Sequence, residues 1–500
     1  LEVSREVASV TGLEYVGRMR QMDPIYQSPS GKRYDEWFSQ YLLHRNVRDT
    51  FEDFNVARPS ARRELKAVAR YGLATVEQPP SAEEQEILLD WLEREFGHHV
   101  ENHRVVDLSE VEFQPTTTPG IPYKWFSKSK REAIKRWMPD IQSFWKYAHV
   151  LKVPVLWHNF CKEELLPQDK LDNDNVRSIT GPDLAFFLAS ARLFQDFNKK
   201  LYGACLKTSS ALGFNKFAGG LGAIAERINL HPHKEESDMS KYDARVARWL
   251  RLMCLRFRWR TLRMEDKTPE TWARMCYHYD QELNSLLVTG MGHVLKTDHG
   301  TKSGSENTSS DGTLMHFVAV ALSYIRLVSK DYNHFKRHVV ALLYGDDELM
   351  SMSDEVVDLF CASKRAPIYE SCGIHFKVGD TIEQLDLEGL SFLGSKFMRT
   401  SSGHWVGLPT KPRKTVASAL KPLRKQTPGE SLTRALALLV EGFWDTKTRE
   451  ILHGFVRWMV SQGFKPTGGR VEDEFDSGLH DLVMSIPTLR RIRDHWIGLQ

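Results

Sequence analysis

Five hundred residues, 41% of them hydrophobic, are enough to bury a substantial core, and the length favours several packed lobes over one compact unit. With 68 Lys plus Arg against 65 Asp plus Glu the formal charge is only +3, so the average excludes neither acidic nor basic partners and only local clustering is informative. The composition excludes a disordered chain, and the cysteines Cys161, Cys205, Cys254, Cys276, Cys361 and Cys372 form no C-x-x-C pair and keep no His spacing that would build a zinc site. They read as free thiols in a reducing compartment. No run approaches the roughly 20 apolar residues that span a bilayer, and charges recur through residues 1–20, so no transmembrane segment and no signal peptide are predicted. The expectation is a soluble intracellular protein whose first residue, Leu1, points to a trimmed chain or a product cut from a longer precursor.

No internal repeat or low-complexity tract interrupts the chain. Residues 60–97 have helical spacing, with Ile87, Leu88, Trp91 and Leu92 as the apolar positions of an acidic stretch. The run Pro115-Thr116-Thr117-Thr118-Pro119-Gly120-Ile121-Pro122-Tyr123 excludes regular helix or central strand, because its prolines remove donors and fix φ. A basic helix is predicted directly after it. There Lys124, Lys128, Lys130, Arg131, Lys135 and Arg136 interleave with Trp125, Phe126 and Trp137, a combination suited to phosphate contact and base stacking. The same residues also fit a solvated amphipathic helix whose tryptophans are core.

Helices are predicted over 183–205, 240–263 and 308–327, the last apolar on one face. Val339–Leu343 and Leu349–Met352 read as two short strands joined by a tight turn at Tyr344-Gly345-Asp346-Asp347-Glu348. The chain turns basic again through Lys411, Arg413, Lys414, Lys421, Arg424 and Lys425 before helices from Ser431 to Gly463. The order of helices and strands predicts an α+β protein.

Adjacent carboxylates at a hairpin turn repel by roughly 4 kcal/mol at 4 Å and an effective dielectric near 20, and a divalent cation removes that cost. Asp346 is therefore a candidate metal ligand. A second carboxylate pair stands about a hundred residues upstream in Asp238-Met239-Ser240-Lys241-Tyr242-Asp243, at a strand-to-helix turn that aims both side chains at one cleft. Two hard cations held by aspartates align a hydroxyl, an α-phosphate and a leaving pyrophosphate for in-line displacement. For Asp243 alone, stabilisation of the helix N-terminus is the competing role.

These segments resemble the ordered motifs of viral RNA-dependent RNA polymerases of the positive-strand, picornavirus-like supergroup, with an astrovirus-like or potyvirus-like lean. Asp238 with Asp243 is similar to motif A, and Tyr344-Gly345-Asp346-Asp347 to motif C. Between them Lys302-Ser303-Gly304-Ser305-Glu306-Asn307-Thr308 through Met315 resembles motif B. Lys162-Glu163-Glu164-Leu165 with Lys170 and Arg177 resembles motif F, and Thr117–Tyr123 motif G. Gly373–Val378 and Gly389–Ser395 are similar to motifs D and E. One position departs: the family usually has Asn four residues after the motif B Thr, where this chain has Gly312 preceded by Asp311. Ribose selection then falls either to Asp311, through a rearranged hydrogen bond to the 2′-hydroxyl, or to Asp243 with Ser303.

The resemblance implies a right hand with an antiparallel palm sheet flanked by helices: fingers over 1–229 and 265–299, palm over 230–264 and 300–399, thumb over 400–500. It implies catalysis and Mg²⁺ (or Mn²⁺) binding by Asp238, Asp346 and Asp347, and proton donation to pyrophosphate by Lys377, with Lys364 as competitor. Nucleoside triphosphate is assigned to Lys162, Lys170, Arg177, Asp243, Ser303 and Thr308. Template RNA is assigned to Thr118, Gly120, Tyr123, Lys124, Lys128, Lys130, Ser303 and Gly304. Implied partners are template RNA, nascent strand, nucleotides and other viral replication proteins, in the host cytoplasm at membrane-associated replication sites reached through those proteins. The alternatives are a reverse transcriptase and a non-catalytic RNA-binding protein that keeps the palm.

Overall fold

The hairpin expected at Tyr344–Glu348 forms, and the rest of the fold is arranged around it. In a computed structural model that describes residues 2–19, 33–75, 77–468 and 477–499, strands Val339–Tyr344 and Asp347–Met352 pair antiparallel from Val339↔Met352 to Tyr344↔Asp347. His233–Ser237 and then Ile382–Gln384 extend this sheet, both antiparallel. The alternation of its side chains is what joins the two halves of the molecule. Val339, Ala341, Leu343, Met350 and Met352 enter one apolar core, while Val340, Leu342 and Leu349 enter another.

Helix Thr308–Leu327 lies at the centre of the first core, and every residue from Ser310 to Ile325 is buried. The expected one-sided apolar face is thus corrected: neighbours cover it all round, among them Arg248–Thr261, Ala82–Leu92, Ala362–Ser371 and the hairpin. Gly312 costs such a helix about 1 kcal/mol, whereas each of Leu314, Met315, Phe317, Val318 and Leu322 contributes roughly 1.5–3 kcal/mol by burial, so packing decides the conformation.

The second core gathers the C-terminal helices Pro412–Leu420, Pro428–Glu441 and Thr446–Ser461 with Phe38, Tyr41, Phe51 and Phe54 from near the N-terminus. A separate five-stranded sheet has the order Glu14–Arg18, His293–Lys296, Leu286–Val288, Leu156–Cys161, Ser178–Gly181, with one parallel pairing between Leu156–Cys161 and Leu286–Val288.

Three sequence expectations change locally. Residues 60–97 are not one helix: Ala61–Val68 and Ala82–Leu92 are separated by a 3₁₀ turn at Ala69–Gly72 and by non-helical chain at 73–75 and 77–81, where Pro79-Pro80 admits no helix. The 240–263 helix breaks into Tyr242–Arg245 and Arg248–Thr261, because the Ala247 N–H donates to the Cys372 carbonyl and the Val246 carbonyl accepts from Gly300. The basic helix begins at Lys130, capped by Ser129, with Tyr123–Trp125 as a separate 3₁₀ turn. All six cysteines are free thiols. Among the described residues no single helix is long and apolar enough to cross a membrane.

Candidate active site

The hairpin turn owes its shape to Gly345, whose φ of 58° lies in the left-handed region that costs other residues a steric penalty. Helix Thr308–Leu327 holds both polar groups of that peptide. The Gly345 N–H donates to Thr313 Oγ1 at 2.9 Å, and the Gly345 carbonyl accepts from His316 Nδ1 at 2.8 Å. His316 Nε2 lies 2.8 Å from the Glu348 carboxylate. The buried ring thus bridges the turn and the second hairpin strand. Arg365 and Tyr369 also bind Glu348, at 2.9 and 2.7 Å, and hold its carboxyl down to about 2.

Strand pairing then brings the two distant acidic segments together. Ser237 faces Glu348, so Asp238, one residue on, follows beside Asp347. Asp346 is pushed above the usual aspartate range by lost hydration and by Asp238, and Asp347 rises to about 6 through lost hydration, Asp346 and Asp238. Asp243 rises to about 6 by the same loss of water and the charge of Asp346. All four side chains are exposed, so an ion can reach them from solvent. Hard oxygen donors on adjoining residues are a donor set that divalent cations take.

Lys377 follows strand His375–Phe376, which pairs with Met239–Ser240, and its ammonium forms an ion pair with Asp238. The competitor Lys364 instead donates to the Asp358 carbonyl at 2.7 Å, so Lys377 is the lysine placed at the carboxylates.

On the opposite wall Arg177 is near enough to Asp346 and Asp243 to feel their charges, and its Nε donates to Glu164 at 2.7 Å. Lys162 lies beside the same Glu164. Sequence reasoning missed Lys414, on the helix Pro412–Leu420, whose ammonium is disfavoured by burial and by Lys411, Arg177 and Lys170 around it. A basic residue three positions into a helix carries no spacing signal toward residue 177; only the fold unites them.

The Ser303–Thr308 loop is fastened to strand Ser178–Gly181. The Ser303 oxygen accepts from the Thr180 N–H at 2.9 Å, and the Gly304 N–H donates to the Thr180 carbonyl at 2.8 Å. A Cβ at Gly304 would stand 2.7 Å from that carbonyl oxygen, so glycine is required for this approach. The Thr308 hydroxyl donates to the Lys302 carbonyl at 2.6 Å and closes the loop from within.

Asp311 is fully buried. Its buried carboxylate accepts from Arg251 and Arg258, both at 2.8 Å, and from the Tyr279 hydroxyl at 2.7 Å, with Glu282 paired to Arg251 in the same cluster. Every oxygen is engaged away from the cleft, which excludes the rearranged contact to a 2′-hydroxyl. Gly312 faces the Gly345 backbone and the Tyr242 ring, and its carbonyl accepts from the Tyr242 hydroxyl at 2.6 Å.

A cleft of about 720 Å³ joins the loop after Pro115 to Gly304, lined by Thr118, Gly120, Lys130, Phe160, Ile179 and Phe187 among others. Lys130 stands over the Phe187 ring at 3.7 Å, Lys128 is exposed and Lys124 half-buried nearby. Tyr123, expected at the template, is buried with Val106, Val111 and Leu184. Trp137 packs, partly buried, against the same cluster and Trp125 against Ile121 and Val288.

Comparison with known proteins follows the same ground. A family model described as viral RNA-dependent RNA polymerase matches residues 99–460, and the chain belongs to that family. It is 25% identical over 347 residues to the non-structural polyprotein 1AB of Human astrovirus-8, covering 69% of this chain and 24% of that protein. It is 26% identical over 349 residues to the corresponding polyprotein of Ovine astrovirus 1, covering 67% and 25%. To genome polyprotein 1 of Barley mild mosaic virus (strain Na1) it is 23% identical over 348 residues, covering 69% and 15%. The chain thus spans a quarter or less of the length of these curated relatives.

Proposed function

We propose that this chain copies a positive-strand viral RNA genome, joining nucleoside triphosphates to an RNA 3′ end under the direction of an RNA template. The observation that carries the reading is the Ser237↔Glu348 pairing, which sets Asp238 beside the Asp346-Asp347 turn in a family whose members use divalent metal ions. Asp238 and Asp346 would hold Mg²⁺, or Mn²⁺ in its place, with Asp347 as secondary ligand. Bound there, the cations supply Lewis-acid stabilisation of the reacting phosphate.

The protein's own groups do the rest. Arg177, Lys162, Lys170 and Lys414 pair with triphosphate oxygens from the opposite wall, Arg177 in a bidentate fork. Asp243, ionised above about pH 6, accepts a hydrogen bond from the ribose, with Ser303 beside it. The 3′-hydroxyl gives its proton to water, its oxygen bonds to the α-phosphorus as the bond to the bridging oxygen breaks, and Lys377 gives a proton to the departing pyrophosphate. The Thr308 hydroxyl shapes the loop that presents Ser303 and Gly304 to template and nucleotide. Thr118, Gly120, Lys124, Lys128 and Lys130 line the template's approach.

The right-hand division follows, with fingers over 1–229 and 265–299, palm over 230–264 and 300–399 and thumb over 400–500. Strands Leu286–Val288 and His293–Lys296 support it by joining the same sheet as Leu156–Cys161. The chain would act in the host cytoplasm with other viral replication proteins, at membrane sites those partners provide. Incorporation of labelled nucleotide on a primed RNA with Mg²⁺ tests the reading. Asp346→Ala is expected to abolish synthesis while keeping RNA binding, and Lys124→Ala to weaken binding in a salt-sensitive way. Synthesis by Asp346→Ala at the parent rate would refute the mechanism, and equal use of deoxynucleotides would favour reverse transcription.

A further inference from the structure

At the end of the catalytic hairpin remote from its turn, His334, His338 and Glu355 form a second cluster of metal-ligating groups. His334 and His338 are one helical turn apart on Tyr332–His338, the helix leading into the first hairpin strand, and Glu355 follows the second strand. His334 Nε2 lies 3.7 Å from Glu355 Oε1, and His338 Nε2 lies 3.6 Å from Glu355 Oε2. The ligand atoms all lie within 4.8 Å of one another. Bonds of about 2.0–2.2 Å meeting at tetrahedral angles place neighbouring ligand atoms roughly 3.3–3.6 Å apart, close to the 3.7 and 3.6 Å at which the two imidazoles approach the two Glu355 oxygens.

The other nitrogen of each ring is oriented. His334 Nδ1 is 2.8 Å from the Tyr324 hydroxyl, and His338 Nδ1 is 2.9 Å from the Ser353 hydroxyl. An Nδ1–H donating to each hydroxyl oxygen leaves both Nε2 lone pairs facing a carboxylate, an arrangement that a cation between them resolves. Two imidazoles and one carboxylate are a borderline-soft donor set. It suits Zn²⁺ and disfavours Mg²⁺, which takes oxygen ligands.

We propose that His334, His338 and Glu355 bind one Zn²⁺, with water completing the coordination. The ion would staple the two ends of the hairpin where Val339 pairs with Met352. With six residues per strand it stands roughly 20 Å from Asp346. It therefore acts on strand register and takes no part in chemistry at the carboxylates. The proposal stands independently of the polymerase reading.

The test uses the full chain, stripped with a chelator and titrated with Zn²⁺ alone in excess Mg²⁺. One Zn²⁺ per chain is expected to bind, with the visible absorption of a four-coordinate ion when Co²⁺ is substituted. The double variant His334→Gln/His338→Gln is expected to weaken binding by about 100-fold or more, and Tyr324→Phe by about 10–100-fold. Glu355→Gln, at an exposed position, weakens it without threatening the fold, and Asp346→Asn leaves it unchanged. If the double variant and Glu355→Gln bind Zn²⁺ as the parent does, or if the parent's binding is lost in Asp346→Asn, the cluster is a pair of surface His–Glu contacts and the proposal is overturned.

Discussion

Two glycines eight residues apart in the sequence differ sharply in what they tolerate. At Gly304 a methyl group would meet the Thr180 carbonyl oxygen at 2.7 Å, but at Gly312 the nearest atom, Gly345 Cα, is 3.6 Å away. Gly304→Ala must therefore push the loop from its strand. It is expected to lower incorporation at least tenfold, with a stability loss of about 1–3 kcal/mol. Gly312→Ala should fold normally and gain about 0.5–1 kcal/mol from the stiffer unfolded chain. Thermal melts of the two variants beside their incorporation rates check both. His316 works at the same scale, since its ring holds the carbonyl of the turn that presents Asp346. Removing both hydrogen bonds in His316→Leu leaves a buried carboxylate and carbonyl short of a donor, at a cost of about 1–3 kcal/mol. The expected signature is a fall in kcat for incorporation with RNA affinity unchanged; an unaltered kcat would mean that the ring only fills space.

Among the elements, helix Leu184–Gly203 carries a titration of its own. Its N-cap Asp183 accepts from the Phe186 N–H at 2.9 Å, yet burial drives its carboxyl up to about 6. The folded state then holds this proton more tightly than the unfolded chain, whose aspartates titrate near 4. Stability from this group is greatest below about pH 4 and falls as pH rises to about 6, above which the full cost of the buried charge persists. Asparagine keeps the capping acceptor without the charge. Asp183→Asn is therefore expected to flatten that part of the profile and to be more stable than the parent at pH 8, by up to about 3 kcal/mol. Denaturant midpoints at pH 4, 6 and 8 measure it, and parallel profiles for the two proteins would contradict it. Helix Thr308–Leu327 is held differently: its first turns are anchored by the buried Arg251, Arg258, Asp311 and Glu282 charges, which position the loop before it.

For the whole molecule, the segment around residues 34–56 packs with the C-terminal helices rather than with the sheet that holds Glu14–Arg18. Two cations fasten it. The buried Lys421 ammonium donates to the Phe51 and Phe54 carbonyls and to Asn55 Oδ1 at 2.7, 2.8 and 3.0 Å, while Arg413 pairs with Asp49 and Asp53 on an open surface. Buried acceptors left without a donor cost about 1–3 kcal/mol, and exposed ion pairs contribute about 0–1 kcal/mol. Lys421→Met should therefore speed hydrogen exchange at residues 51–56 and lower the melting temperature more than Arg413→Ala; the reverse order would show that the surface pairs hold the segment.

What the sequence determined by itself was local. Acidic pairs at a strand end and at a Gly-containing turn, with a Ser-Gly loop between, are short-range patterns that identify the hairpin and the loop. Helices Leu184–Gly203 and Thr308–Leu327 followed from apolar spacing, whereas 60–97 and 240–263 were divided by contacts that spacing does not show. The tertiary structure decided whatever depends on which surfaces meet. It made Asp311 a buried counter-ion of Arg251 and Arg258 and turned Tyr123 inward to a small core. It carried Lys414 to the cluster around Arg177, and put His316 under Gly345. Those outcomes rest on contacts between residues far apart in the chain, where burial and charge pairing outweigh any local propensity.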